Sequence, residues 1–206
     1  MTSGLRLFGV LMLSVNCALA ASPTSTELWS DSYHFEATGQ YEAAINVLAP
    51  VVEKYPRHEF VHLRIGWLNY LQGNHNTAVD EYKLAMNINS KSLDARLGVI
   101  LPLLAQKRWR EAALYSRQVL EFDPWNYYAH IRLMICEDAE SQWEALEKHA
   151  SEAALRYPSD ATMQVYLARA YARLNKDTQA RVIYEQVLER IPRHLEALQY
   201  LQKSGR

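Results

Sequence analysis

Cysteine, glycine and proline are scarce in this sequence, and neither charge predominates: 206 residues hold 2 Cys, 7 Gly and 7 Pro, with 22 Lys and Arg against 23 Asp and Glu. Each shortage excludes something. Two cysteines cannot staple a small disulfide scaffold. A formal charge of -1 lacks the positive footprint with which proteins neutralise nucleic-acid phosphates, so no nucleic acid is expected as a partner. No apolar run reaches the ~20 residues that a membrane span requires. At 49% hydrophobic and 22% charged residues the chain is too apolar to be a disordered one. Its length suits one ordinary domain or a short repeat array.

Arg6 is the only charged residue before Glu27, and it precedes the apolar run Leu7 to Val15 and the small residues of Ala18-Leu19-Ala20. This pattern predicts a secretory signal peptide over residues 1–20, cleaved after Ala20. Asn16 precedes Cys17, where a bacterial lipoprotein signal similar to this one carries Gly, Ala or Ser, so no lipid anchor is expected. Cleavage leaves Cys136 as the one cysteine of the mature chain. It is expected as a small buried hydrophobe rather than a nucleophile. The short signal and the absence of cysteine pairs favour a periplasmic location.

What the chain does have is a period of 34. Pro56, Ser90, Pro124, Pro158 and Pro192 are evenly spaced, and twelve residues before each lie Ala44, Ala78, Ala112, Leu146 and Ala180. Three residues earlier again come Tyr41, His75, Trp109, Trp143 and Asp177. A fixed period implies stacked units rather than one core. In the first unit Ala44, Leu48, Val51 and Val52 form one apolar helical stripe. The small residues let two helix axes approach closely, the prolines end the second helix of each pair, and Thr38-Gly39-Gln40 and Gln72-Gly73-Asn74 supply left-handed turns between paired helices. Pro102 falls inside a first helix and meets the carbonyl of Gly98, which predicts a kink rather than a break.

With Gly66, Gly73, Ala78, Tyr82 and Ala85 in the second unit, and Tyr171, Ala180, Tyr184 and Pro192 in the fifth, the chain resembles the tetratricopeptide repeat family. The resemblance covers units at 25–58, 59–92, 93–126, 127–160 and 161–194. It implies an all-α, right-handed superhelical solenoid of five helix-turn-helix units, with a capping helix over 195–206 covering the last apolar face. The fourth unit departs most, with Leu146 for the small Ala and the turn Glu140-Ser141-Gln142, so its helix pair is expected to splay.

The resemblance also implies a concave groove lined by the first helix of each pair. Its rows, read in steps of 34, are Trp29, Leu63, Leu97, Ile131, Val165, then Tyr33, Trp67, Leu101, Ile135, Arg169, then Glu36, Tyr70, Leu104, Asp138, Ala172, and Thr26, Phe60, Asp94, Tyr128, Thr162. Members that grip a C-terminal carboxylate use Lys and Asn where this chain has Trp29, Leu63, Tyr33 and Trp67, so that clamp is absent. Tyr33, Phe60, Trp67, Tyr70 and Tyr128 remain as candidate anchors, residue types that dominate interface hot spots; the aliphatic row is expected to be core. Residues 21–160 carry 13 basic and 19 acidic side chains, residues 161–206 carry 8 and 4. Arg169 and Arg173 share a helix face there, which suggests an acidic polysaccharide as an alternative ligand.

His58-Glu59-Phe60-Val61-His62 is a literal H-E-x-x-H, which on a helix could hold zinc with the Glu as general base, and Glu81 follows at third-ligand distance. The repeat register argues against it, because Pro56-Arg57-His58 matches Pro192-Arg193-His194 and puts His58 in the turn between units. There is no Gly-rich phosphate loop, no C-x-x-C and no recognisable nucleophile set. Glu137, Asp138 and Glu140 read as an acidic face. No catalytic residue, metal or cofactor is expected. The expected function is a non-enzymatic protein-protein interaction scaffold that takes an extended peptide or partner helix in its groove; similar proteins help assemble envelope machines.

Overall fold

The computed structural model describes residues 24–204; the predicted signal peptide, residues 1–20, lies outside the described residues. Twelve helices follow one another there: α1 Ser25–Ala37, α2 Tyr41–Asn46, α3 Ala49–Lys54, α4 Glu59–Gln72, α5 His75–Ile88, α6 Leu93–Ala105, α7 Trp109–Phe122, α8 Tyr127–Ala139, α9 Trp143–Arg156, α10 Ala161–Arg173, α11 Asp177–Arg190 and α12 Leu195–Ser204. The first helices of successive units from α4 onward begin at Glu59, Leu93, Tyr127, Ala161 and Leu195, an unbroken step of 34.

Local chemistry sets that step. Ser92, Asn126 and Asp160 stand 34 apart as N-caps, and their side chains accept from the N–H groups of Ala95, Ala129 and Met163 at 3.1, 3.1 and 3.2 Å. Between paired helices the left-handed position recurs at Gly39, Gly73, Lys107, Ser141 and Asn175, with φ of 74, 86, 58, 57 and 58°. At each turn the following N–H reaches back five residues to a first-helix carbonyl, from Gln40 to Phe35 and from Gln142 to Glu137, both at 2.8 Å, the backbone bond that closes a Schellman-type end.

Ala44, Ala78, Ala112, Leu146 and Ala180 all lie fully buried where the paired helices cross. The larger Leu146 keeps its axes further apart, and α8 and α9 share a smaller packed face than α4–α5, α6–α7 or α10–α11. Between units, a ring fills a gap left by a missing side chain: a Cβ on Gly98 would come within 2.2 Å of the Tyr82 ring. Gly98 thus makes room for Tyr82, and α6 continues unbroken through Pro102.

One expectation fails. The stripe Ala44, Leu48, Val51 is buried, but its helix is two pieces, α2 and α3, with Pro50 in the first turn of α3. Proline at 50 offers no N–H to the carbonyl of Asn46 and its ring crowds that oxygen.

The first helices α4, α6, α8 and α10 pack on one another from unit to unit, whereas the second helices make at most marginal contact with each other. The array therefore curves with its first helices inside.

Candidate functional site: the concave groove

At the start of the groove, side chains from neighbouring first helices lock together. Arg64 is buried and forms an ion pair with Glu36 on α1, and its Nε donates to Ser32 Oγ at 3.2 Å. Ser32 in turn donates to the Ala44 carbonyl at 2.9 Å. The Trp67 indole N–H donates to the other Glu36 oxygen at 2.7 Å, and the Tyr33 ring lies 3.8 Å from the Arg64 guanidinium. These bonds orient an apolar pocket of about 280 Å³ whose walls include Tyr33, Phe60, Leu63 and Trp67.

Of the predicted anchors, Tyr33, Phe60 and Tyr128 are exposed at 49%, 46% and 61%. Trp67 and Tyr70 are half-buried and face each other at 5.7 Å between ring centroids. Tyr70 also packs on the central core cluster, as do Leu63 and Leu97 from the aliphatic row. Phe60 stacks near Trp29 at 5.2 Å. Tyr128 stands apart on α8, with Arg132 at 5.7 Å. Arg132 spans to α6, donating to the Leu97 carbonyl at 2.8 Å, and burial holds its guanidinium below the usual range.

The far end is built differently. Arg169 is gripped by Asp138 on α8 and by both oxygens of Glu196 on α12, at 3.0 and 2.7 Å; the hydrogen bonds it donates to Glu196 push its pKa above the ordinary arginine range. Tyr184 donates a further bond to Glu196 at 2.7 Å. Arg173 is exposed and lies 5.3 Å from the Trp143 ring. The expected joint grip of Arg169 and Arg173 on an acidic ligand is thus met at Arg169 by an internal network, in which all three of its nitrogens donate to two carboxylates of the chain. The acidic-face reading of Glu137, Asp138 and Glu140 fails for the same kind of reason: Glu137 is buried against His149, Asp138 holds Arg169, and Glu140 accepts from Arg110.

The zinc-like string does not assemble. His58 is exposed and sits outside α4 as its N-cap, with φ -90 and ψ 102°. His62 is buried with both nitrogens engaged, Nδ1 with Glu81 at 2.8 Å and Nε2 with the Pro56 carbonyl at 3.0 Å. Among the described residues no group of three His, Cys, Asp or Glu is placed to hold a metal. Cys136 is buried, and burial pushes its thiol up to about 12.

Sequence reasoning named the rings but missed the charges that position them. A signal was available: Glu36 to Trp67 and Asp138 to Arg169 are both 31 apart, each joining the third groove row of one unit to the second row of the next.

Stacked helical hairpins with a ring-lined inner face define a helical repeat protein of the solenoid class. Residues 33–90 and 163–194 each match a model of the tetratricopeptide repeat. The chain is a tetratricopeptide repeat protein. Among curated proteins it is 30% identical over 115 residues to the RNA polymerase-associated protein CTR9 of Caenorhabditis elegans, covering 52% of this chain but only 10% of that one. It therefore spans about a tenth of the length of that relative. Among solved structures, MamA 41-end from Desulfovibrio magneticus RS-1 is 16% identical with a TM-score of 0.76, covering 85% of this chain and 99% of the other. YrrB, described as a tetratricopeptide repeat protein with an unusual peptide-binding site, is 14% identical with a TM-score of 0.73, covering 85% and 91%. These likenesses concern the fold.

Proposed function

We propose that this protein is a non-enzymatic scaffold that captures an extended peptide or a partner helix along the inner face of α1, α4, α6 and α8. One observation carries the reading: Tyr33, Phe60 and Tyr128 stay exposed on that face, while Trp67 and Arg64 beside Tyr33 and Phe60 are fixed by Glu36. Rings held by an ordered underlayer lose little freedom on binding, which is what makes aromatic anchors effective. Repeat solenoids use concave surfaces of this kind for extended ligands. YrrB, with a similar fold, is titled for its peptide-binding site. On the signal-peptide reading of residues 1–20 the partner is met in the periplasm, and assembly of an envelope complex is the role that suits such a scaffold.

A photo-crosslinking residue placed in the native envelope at Phe60, Tyr128 or, as a control, the exposed Leu114 on α7 tests this. The expected result is one shared protein product from positions 60 and 128 and none from 114. Equal labelling from all three positions, or no protein product from 60 and 128, defeats the reading. In the same assay Tyr33→Ala with Phe60→Ala should lower capture at least ~10-fold, the loss of about 1.4 kcal/mol, with helicity unchanged because both side chains are exposed.

A further inference from the structure

In four of the inter-unit turns, the residue six positions after a turn carbonyl supplies a side-chain donor back to it from the first helix. His62 serves Pro56, Arg96 serves Ser90, His130 serves Pro124 and Gln164 serves Pro158, at 3.0, 2.6, 3.0 and 3.4 Å. In the fourth unit this tie continues inward. His130 Nδ1 meets His149 Nε2 at 2.8 Å, and His149 Nδ1 meets Glu137 Oε2 at 2.9 Å. The chain of groups crosses the α8–α9 pair, which shares less packed surface than the other unbroken pairs. His130 and Glu137 are buried.

Hydrogen-bond accounting fixes the number of protons it can hold. The Pro124 carbonyl only accepts, so His130 Nε2 carries hydrogen. The two remaining contacts then need one hydrogen each. Three arrangements satisfy both with the same total: an imidazolium at His149, an imidazolium at His130, or two neutral rings with Glu137 protonated. Removing one proton leaves two lone pairs facing each other at one contact. Adding one sets two N–H or O–H groups against each other. Either change breaks a hydrogen bond whose groups are 13% exposed or less, which is costly because the separated groups have little access to water.

We propose that Glu137, His149 and His130 form a proton-counting latch on the α8–α9 pair, closed at one proton number and opened by gain or loss of a single proton. Opening loosens α8, which carries Tyr128 and Arg132 of the groove wall, so partner capture follows the latch. The groups facing it are Asp123 in the preceding turn, Glu152 and Tyr157 from the α9 side, and, around Cys136 beside Glu137, Arg117 of α7 and Glu140. Glu137 borders a polar cavity of about 150 Å³ with Arg110 and Arg117, through which a proton can enter. In the second unit the corresponding chain ends at Glu81, whose side chain is 24% exposed, so water completes whatever bond is lost there.

Burial holds the His130 imidazole below its usual range. The unfolded chain therefore takes up a proton first on acidification, and stability present above pH ~6.5 declines below it. Amide hydrogen exchange of α8 and α9 between about pH 5 and 9 is the test, in wild type and in His130→Gln, which copies the Gln164 donor of the fifth unit. The wild-type protection factors should pass through a maximum and fall at least ~10-fold on both sides, one pKa unit of linkage, while His130→Gln varies monotonically or not at all. Should the variant fail to fold, imidazole nitrogen NMR of the wild type decides. Coupling across His130 Nδ1 and His149 Nε2 through the plateau supports the latch. Independent titration of the two rings, or a bell-shaped profile retained in His130→Gln, overturns it.

Discussion

Ser141 and Lys107 occupy left-handed backbone at φ 57 and 58°, where two other units use glycine. A side chain there carries a strain of ~1–2 kcal/mol, partly offset by the greater entropy glycine loses on folding. Ser141→Gly and Lys107→Gly should each raise unfolding free energy by about 0.5–1 kcal/mol in urea titration. Gly98→Ala should act in the opposite sense, losing about 1–3 kcal/mol by overpacking against Tyr82, and Tyr82→Leu in the same molecule should restore part of the loss. The sequence made Gly39 and Gly73 legible as turns but suggested that Glu140-Ser141-Gln142 departs from the pattern. The turn is the same there because the backbone bond from Gln142 to Glu137, not a glycine, closes it. The role of Gly98 was not legible, because its partner Tyr82 lies on a neighbouring helix rather than four residues away.

Among the elements, α12 is tied to α10 through one guanidinium, beside the apolar packing of Ala197 and Tyr200 on the last unit. Arg169 joins α10 to Glu196 on α12 and to Asp138 on α8. Removing one member of such a network strands the others, about 3–5 kcal/mol when fully buried. Side-chain exposures of 26%, 23% and 35% reduce that to about 2 kcal/mol after solvent screening. Arg169→Ala should therefore lower stability by that amount, and amide exchange should accelerate first in α12. Helix pairing was written plainly in the 34-residue spacing. The groove rings were legible as residue types at recurring sites, but their exposure was not. Whether Trp67 faces solvent or core depends on Glu36, 31 residues away, and one-row-at-a-time reading never brings those two together. Pro50 was equally present in the sequence, yet the unbroken apolar stripe through Leu48 and Val51 concealed the division into α2 and α3.

For the whole molecule, a repeat array derives its stability from units and nearest-neighbour interfaces, and an unbroken 34-residue step makes any two units look exchangeable. The fit of Tyr82 into the space at Gly98 says otherwise. The positions 34 and 68 residues after Tyr82 hold Ser116 and Ala150, both fully buried, while those after Gly98 hold Arg132 and Tyr166. At these three boundaries a large residue on one side is answered by a small one on the other, and the assignment reverses after the first. Excision of residues 93–126 would preserve every cap and turn, yet set the Tyr82 ring against Arg132. The order of the units is thus written in volume at this boundary: the second unit accepts the third and rejects the fourth.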